Sequence, residues 1–210
     1  MTGYGQNILK VYDKNSSEIG SISYSGQPLP PVNANWSVKI AENYILFAGY
    51  GTNLDGSIYT NVMLYDYANN QVIWAKNVPQ RIEPDKLNIC LRDDNKVMVV
   101  LGGINDNGDL NVYALDIFTG QQLWTKTLIN QKGRIVTLTS SVYGGVSQDI
   151  IGIRFSTTAN QVPLTIYRFD PKNGNVLAQS SLTVYTQEVK YALSDIDNDN
   201  VKELLISDFY

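Results

Sequence analysis

The sequence has no histidine and only one cysteine among its 210 residues. Without histidine the chain can form neither a Ser-His-Asp triad nor a Cys-His pair, and zinc sites that use histidine are excluded too. Cys90 has no partner for an intrachain disulfide. It lies in the alternating apolar stretch Leu87–Leu91, which indicates a small buried core thiol and not a reactive one.

Charge and long apolar runs are also scarce. Charged residues make up 17% of the chain and the net charge is −4, with no cluster of lysine or arginine. Nucleic-acid binding needs clustered positive charge, so it is not predicted. No apolar run approaches the roughly 20 residues of a membrane-spanning helix, and the N-terminal residues lack the features of a signal peptide. The lack of a signal peptide does not predict a cytoplasmic location, because a processed or partial chain would lack one too.

A strand–turn–strand pattern is present and recurs along the chain. The fullest copy, Val112–Trp124, alternates apolar residues up to Asp116, turns at Thr119-Gly120 and resumes at Leu123. Simplified copies surround three further aspartates. The markers lie 53, 50 and 54 residues apart, at Asp13, Asp66, Asp116 and Asp170. A strand-rich repeat near 50 residues is typical of radial repetition.

The repeat divides the chain into four-stranded blades. We predict an all-β protein, a β-propeller of four-stranded antiparallel blades forming a single domain over residues 1–210. Three blades span about 36–78, 85–128 and 133–182. Half blades occupy 7–24 and 188–210, and together they would supply the four strands of one shared blade. No helical period of 3.6 residues lasts long enough to predict a helix.

Three arrangements remain open at this stage. The two half blades can close a four-bladed ring, which would remove the open sheet edges. The chain can instead be a segment of a larger propeller. Alternatively, two copies can combine into an eight-bladed ring as a homo-oligomer.

The fullest copy of the repeat resembles a known family. Ala114-Leu-Asp-Ile-Phe-Thr-Gly-Gln-Gln-Leu-Trp124 is similar to the tryptophan-docking repeat of pyrroloquinoline-quinone-type β-propellers. The match is partial around Asp66 and weaker around Asp170 and Asp13. The resemblance implies a multi-bladed propeller, and the family includes both quinone dehydrogenases and non-catalytic scaffolds of surface-associated assemblies.

The residues of this repeat are interpreted as structural. The aspartate side chain can accept backbone N–H groups of the following turn, Gly120 permits a positive φ, and Trp124 offers a large surface to the next blade. One aspartate per blade, at equivalent positions around a ring, does not converge on a catalytic centre. We therefore assign no catalytic residue and no residue that binds an organic cofactor.

A second motif lies near the C-terminus, at Asp195-Ile-Asp-Asn-Asp-Asn-Val-Lys-Glu203. Three carboxylates at alternate positions of a tight loop repel one another unless a cation lies between them. Calcium takes six to eight oxygen ligands. We predict that water supplies part of this set and that the following residues supply the rest: Asp195, Asp197, Asp199, the Val201 carbonyl and Glu203. The loop resembles the calcium loop of the FG-GAP repeats in integrin-type propellers, with Asn200 in place of the usual glycine.

These observations predict a non-catalytic module that binds a protein or glycan partner, or that serves as a scaffold. The calcium loop favours an extracellular or cell-surface location. One alternative is a propeller related to the quinone-dependent dehydrogenases, which would need a cofactor pocket that the sequence does not indicate. The other is an intracellular assembly factor. No membrane span and no nucleic-acid partner are predicted.

Overall fold

The regular structure of the chain is entirely β-strand in the residues that the computed structural model describes. These residues are 8–12, 15–23, 37–41, 43–52, 55–79, 81–105, 107–128, 134–143, 146–155, 162–184, 189–199 and 203–208. These residues contain sixteen strands, which follow chain order in antiparallel sheets. The prediction of an all-β, propeller-type fold is confirmed.

The chain divides into two compact units. The first contains residues 1–84 and the turn 118–120, and the second contains residues 85–117 and 121–210.

The first unit contains a two-stranded sheet and a four-stranded sheet. Its strands are β1 (Ile8–Tyr12), β2 (Glu18–Ser23), β3 (Ser37–Ala41), β4 (Tyr44–Thr52), β5 (Ile58–Asp66) and β6 (Gln71–Val78). β1 pairs with β2, and β3 to β6 form a meander. The inner strands β4 and β5 carry most of the core of this unit, including the fully buried Leu46, Val62 and Leu64.

The second unit contains two four-stranded sheets and a two-stranded sheet. Its strands are β7 (Arg81–Leu91, of which the first residues belong to the first unit), β8 (Val97–Ile104), β9 (Leu110–Asp116), β10 (Gln122–Leu128), β11 (Arg134–Tyr143), β12 (Val146–Phe155), β13 (Val162–Phe169), β14 (Val176–Val184), β15 (Val189–Ser194) and β16 (Glu203–Asp208). The sheets are β7–β10, β11–β14 and β15–β16. That β1–β2 and β15–β16 complete one shared blade stays a prediction.

The core of the second unit joins its two four-stranded sheets. Val100 and Val112 from β8 and β9 lie in one buried cluster with Ile150, Tyr167 and Phe169 from β12 and β13. The rings of Tyr167 and Phe169 are stacked, with centroids 5.8 Å apart. β8 and β9 are buried on both faces, which explains why their sequences are nearly continuous apolar runs and not strict alternations. Cys90 belongs to the same cluster and is buried, as predicted.

Two of the marker aspartates, Asp66 and Asp170, form their turns as the sequence predicted. The Asp66 carboxylate accepts the backbone N–H groups of Ala68 and Asn69 at 3.0 and 3.2 Å. The Asp170 carboxylate accepts the Lys172 N–H at 2.8 Å. An asparagine three residues after each aspartate reinforces the turn. The side-chain amide of Asn69 donates to Asp66 Oδ2 at 2.7 Å, and that of Asn173 donates to Asp170 Oδ2 at 2.8 Å. Asp13 lies outside the described residues.

In each of the three turns, the residue four positions after the marker aspartate has a left-handed backbone. The φ angle is 53° at Asn70, 67° at Gly120 and 72° at Gly174. Asparagine tolerates this conformation better than most residues that carry a Cβ. Asn69-Asn70 therefore forms the same turn as Thr119-Gly120, although the letters differ.

Each repeat tryptophan covers the turn glycine of a later hairpin. In the second unit, the indole Nε1–H of Trp124 donates to the Pro171 carbonyl at 2.9 Å. A Cβ on Gly174 would lie 2.4 Å from the Trp124 ring, and within the first unit a Cβ on Gly120 would lie 2.6 Å from the Trp74 ring. Only glycine allows so close an approach. Both tryptophans pair with the residue two positions before the marker aspartate of their hairpin. In β14 the residue at this position is Ala178, which is exposed.

The Trp124–Gly174 contact predicts that two Asn-Gly turns differ in their tolerance of alanine. Gly174→Ala adds steric overlap with the indole to the cost of a left-handed φ, and we expect a loss of about 3 kcal/mol. Gly108→Ala is the matched control, since Gly108 has φ 79° but nothing within 4 Å of an added Cβ; about 1 kcal/mol is expected there. Urea unfolding measures both, and equal losses would contradict the docking role.

The turn at Asp66 predicts a pH dependence of stability. The hydrogen bond from the Asn69 side chain, followed by the backbone N–H groups, lowers the pKa of Asp66. Because the folded-state pKa lies below the unfolded value of about 3.9, this stabilisation is complete above that pH and is lost as the pH falls through the folded pKa. Asn69→Ala should therefore reduce the loss of stability between neutral pH and about pH 3.

Urea unfolding at the two pH values measures this difference. Asn77→Ala is the control, because Asn77 accepts a hydrogen bond from Asn61 instead of bonding a carboxylate. An acid sensitivity that Asn69→Ala leaves unchanged would show that another carboxylate is responsible.

Candidate metal centre

The C-terminal hairpin brings three carboxylates to one place. Asp195 directly follows β15, Glu203 begins β16, and the two strands pair in register from Ser194↔Glu203 to Val189↔Asp208. Because the two chain ends of the loop are held side by side, residues eight apart in sequence become neighbours. Carboxylate oxygens of Asp195, Asp197 and Glu203 all lie within 4.8 Å of one another.

Backbone N–H groups shape the loop around these carboxylates. The Ile196 N–H donates to Glu203 Oε2 at 2.7 Å. The Asp199 N–H donates to Asp195 Oδ1 at 3.1 Å and to Asp197 Oδ1 at 3.2 Å. Asn198 takes a left-handed φ of 62°, which allows the chain to curl over the carboxylates. The loop is therefore folded on its own acidic side chains.

The spacing of the three carboxylates fits a single hard cation. Calcium–oxygen distances are about 2.3–2.6 Å, so two oxygens on one ion lie at most about 5 Å apart. The 4.8 Å limit of the cluster satisfies this condition. Without a cation, each pair of these like charges repels by about 1 kcal/mol near 4 Å in water, and by more where water is excluded. Asp195, Asp197 and Glu203 are the residues that would hold the ion, and the ion would neutralise their repulsion.

The other two predicted ligands are Asp199 and the Val201 carbonyl. The Asp199 carboxylate is not one of the three that lie within 4.8 Å of one another, and its backbone N–H donates to two of them. Val201, whose carbonyl was the fourth predicted oxygen in loop order, lies outside the described residues, as does Asn200.

The acidic turn between β8 and β9 is a hairpin, as its Asn107-Gly108 sequence indicates. Asn105 Oδ1 accepts the N–H groups of Asn107 and Asp109, and Gly108 has φ 79°. Within the part of the chain that the structure describes, the C-terminal loop is the one place where three potential metal-ligating side chains come together.

One ion pair was not anticipated from the sequence. Lys172 Nζ lies 2.7 Å from Asp93 Oδ2 and joins the β13–β14 turn to the β7–β8 hairpin. The hydrogen bond and charge of Lys172 lower the pKa of Asp93, and those of Asp93 raise the pKa of Lys172. Both side chains are more than half exposed, so the pair contributes little to stability. The 79 residues that separate the partners gave no pattern from which to predict it.

The family profile described as outer membrane protein assembly factor BamB, of the PQQ type, matches residues 10–207. The chain belongs to that family. The match covers nearly the whole chain, so it confirms the resemblance to PQQ-type repeats that was based on Ala114–Trp124. The match does not show that the acidic loop is an FG-GAP repeat.

Two solved structures with a TM-score above 0.5 share the fold of the chain at low sequence identity. The Dos1 propeller is 12% identical with a TM-score of 0.53, over 85% of this chain and 43% of that one. The exotype rhamnogalacturonan lyase YesX is 12% identical with a TM-score of 0.55, over 96% and 43%. BamB from Moraxella catarrhalis is 16% identical with a TM-score of 0.43, over 73% and 38%. The chain therefore spans less than half the length of these structures.

No curated protein matches the chain in sequence. Within the described residues, no helix is long and apolar enough to cross a membrane.

Proposed function

We propose that the chain is part of a non-catalytic propeller that binds another protein as a scaffold. The observation that carries this proposal is its membership of the BamB family over residues 10–207. The chemistry of the repeat supports it, because the carboxylates of Asp66 and Asp170 are engaged by N–H donors of their own turns. Aspartates used in this way hold hairpins and do not act on a substrate.

The alternative, a relative of the quinone-dependent dehydrogenases, makes a distinct prediction. Such a protein would bind pyrroloquinoline quinone, which would raise its melting temperature and change the absorbance of the quinone. For a scaffold we expect neither change when the purified chain is titrated with the quinone at a fixed calcium concentration. A saturable change in both signals would contradict the scaffold proposal.

We also propose that the C-terminal loop, as an FG-GAP-like calcium loop, binds calcium through Asp195, Asp197 and Glu203. Their oxygens are close enough to share one ion, and carboxylates are the ligands that calcium prefers. An ion there would tie the end of β15 to the start of β16. Extracellular calcium modules have dissociation constants of about 10⁻⁴–10⁻³ M. A site in that range supports an extracellular or cell-surface location, whereas an intracellular assembly factor would find too little calcium to fill it.

Calcium should raise the stability of the chain by mass action. At a free concentration about a hundredfold above the dissociation constant, the gain is about 2.7 kcal/mol. Thermal unfolding in calcium and in chelator measures it, and a calcium titration gives the affinity. Equal melting temperatures at millimolar calcium would remove the site.

Single substitutions separate the three-carboxylate site from the larger predicted set. Asp197→Ala should abolish the calcium effect, because its oxygen is one of the three that converge. Asp199→Ala should retain most of the effect if its part in the loop is confined to its backbone N–H. Asp94→Asn is the control for loss of an acidic group elsewhere, since Asp94 pairs with Arg92 in the β7–β8 hairpin.

A further inference from the structure

The outer strand of the last complete sheet is open to pairing. β14 lies at the edge of the order β11-β12-β13-β14. Seven of its nine residues, 177–183, are exposed, among them Leu177 at 55% and Leu182 at 36%. A strand in this position presents a row of backbone N–H and C=O groups that can pair with another strand.

β14 is also the one edge strand, among those the structure describes, without a charged residue. Its sequence is Val-Leu-Ala-Gln-Ser-Ser-Leu-Thr-Val, with neither charge nor proline. Every other strand at a sheet edge carries at least one charge: β1, β2, β3, β6, β7, β10, β11, β15 and β16. Charged residues on edge strands, lysine above all, oppose pairing between molecules.

The comparison with β6 and β10 identifies the position where this protection is missing. Register places Lys76 opposite Val62, four residues before the marker Asp66. Lys126 stands opposite Val112, four residues before Asp116. The same position in β14, opposite Ile166 and four residues before Asp170, is Ser180. Serine therefore replaces the lysine of the other two outer strands at the centre of β14.

The sequence of β14 is complementary to itself in the antiparallel sense. A two-fold axis at Ser180 would place amide or hydroxyl groups against each other at the centre of the strand, and two apolar pairs and one leucine–threonine pair towards its ends. The pairs are Val176–Val184, Leu177–Thr183, Ala178–Leu182, Gln179–Ser181 and Ser180–Ser180. No like charges meet in this register, whereas a lysine at the axis would face its own copy.

We propose that β14 is the contact of a two-fold dimer, in which the β14 strands of two copies of this chain pair edge to edge. The paired strands would join two four-stranded sheets into one of eight strands. An isologous contact uses the same edge on both copies and therefore closes at two. This dimer differs from a ring assembled from half blades, because the half blades take no part in it.

Sedimentation velocity tests the proposal with the purified chain and two lysine variants. The wild type should be a dimer at about 100 μM, since small interfaces give weak association. Ser180→Lys should raise the dissociation constant about fivefold, because like charges directly opposite in a sheet repel. Ala75→Lys is the control of equal charge, since Ala75 is exposed on β6, which already has a lysine. It should leave the dimer unchanged.

A monomeric wild type at that concentration overturns the proposal, and so does a dimer that survives Ser180→Lys. If an extended segment of another protein is the natural occupant of this edge, the wild type will be monomeric. Circular dichroism and melting temperature of each variant show that loss of the dimer is not loss of the fold.

Cysteine cross-linking tests the register. Residues directly opposite in an antiparallel pair have Cα atoms about 4.5–5.5 Å apart, within the range of a disulfide. Ser180→Cys should form an intermolecular disulfide under mild oxidation. Ser181→Cys should not, because its own copy would lie two residues away, roughly 8 Å distant and beyond disulfide reach. Cross-linking of Ser181→Cys at an equal rate overturns the register; the natural Cys90 is buried and does not compete.

Discussion

The packing of this protein depends on an indole ring lying directly on the backbone of a left-handed turn. Trp124 approaches Gly174 more closely than any side chain with a Cβ would permit, and its N–H satisfies the buried Pro171 carbonyl. One contact thus buries a large apolar surface, meets a hydrogen-bonding requirement and fixes the position of a hairpin. The aspartate turns matter because they present the glycine in the geometry that the ring requires.

The sequence predicted the parts of the fold that depend on local spacing. Alternating apolar residues and the Asp–turn–Trp period place the strands, and antiparallel pairing in chain order follows from short turns. The Asn69-Asn70 turn looked like a departure from Thr119-Gly120, but asparagine supplies both the side-chain bond to the aspartate and the left-handed residue. The two turns therefore share a left-handed residue at the same position, although their sequences differ.

Contacts between distant segments could not be predicted in the same way. Lys172 and Asp93 meet because two hairpins lie side by side, and no local pattern records that. For the acidic loop, spacing correctly selected Asp195, Asp197 and Glu203 as neighbours. It did not show that the backbone N–H of Asp199 donates to two of these carboxylates. The orientation of each residue in a tight loop depends on backbone dihedrals that alternation alone does not determine.

The burial of β8 and β9 on both faces has a consequence for the motions of the second unit. Amides in these strands can exchange with solvent only when the whole core of Val100, Val112 and Tyr167 opens. β14 has one bonded neighbour and mostly exposed side chains, so its outward-facing amides need only local fraying to exchange. Protection should therefore fall stepwise across each blade, from its central strands to its rim. The rim is then the part of the blade whose backbone is free to form new hydrogen bonds while the interior keeps its shape.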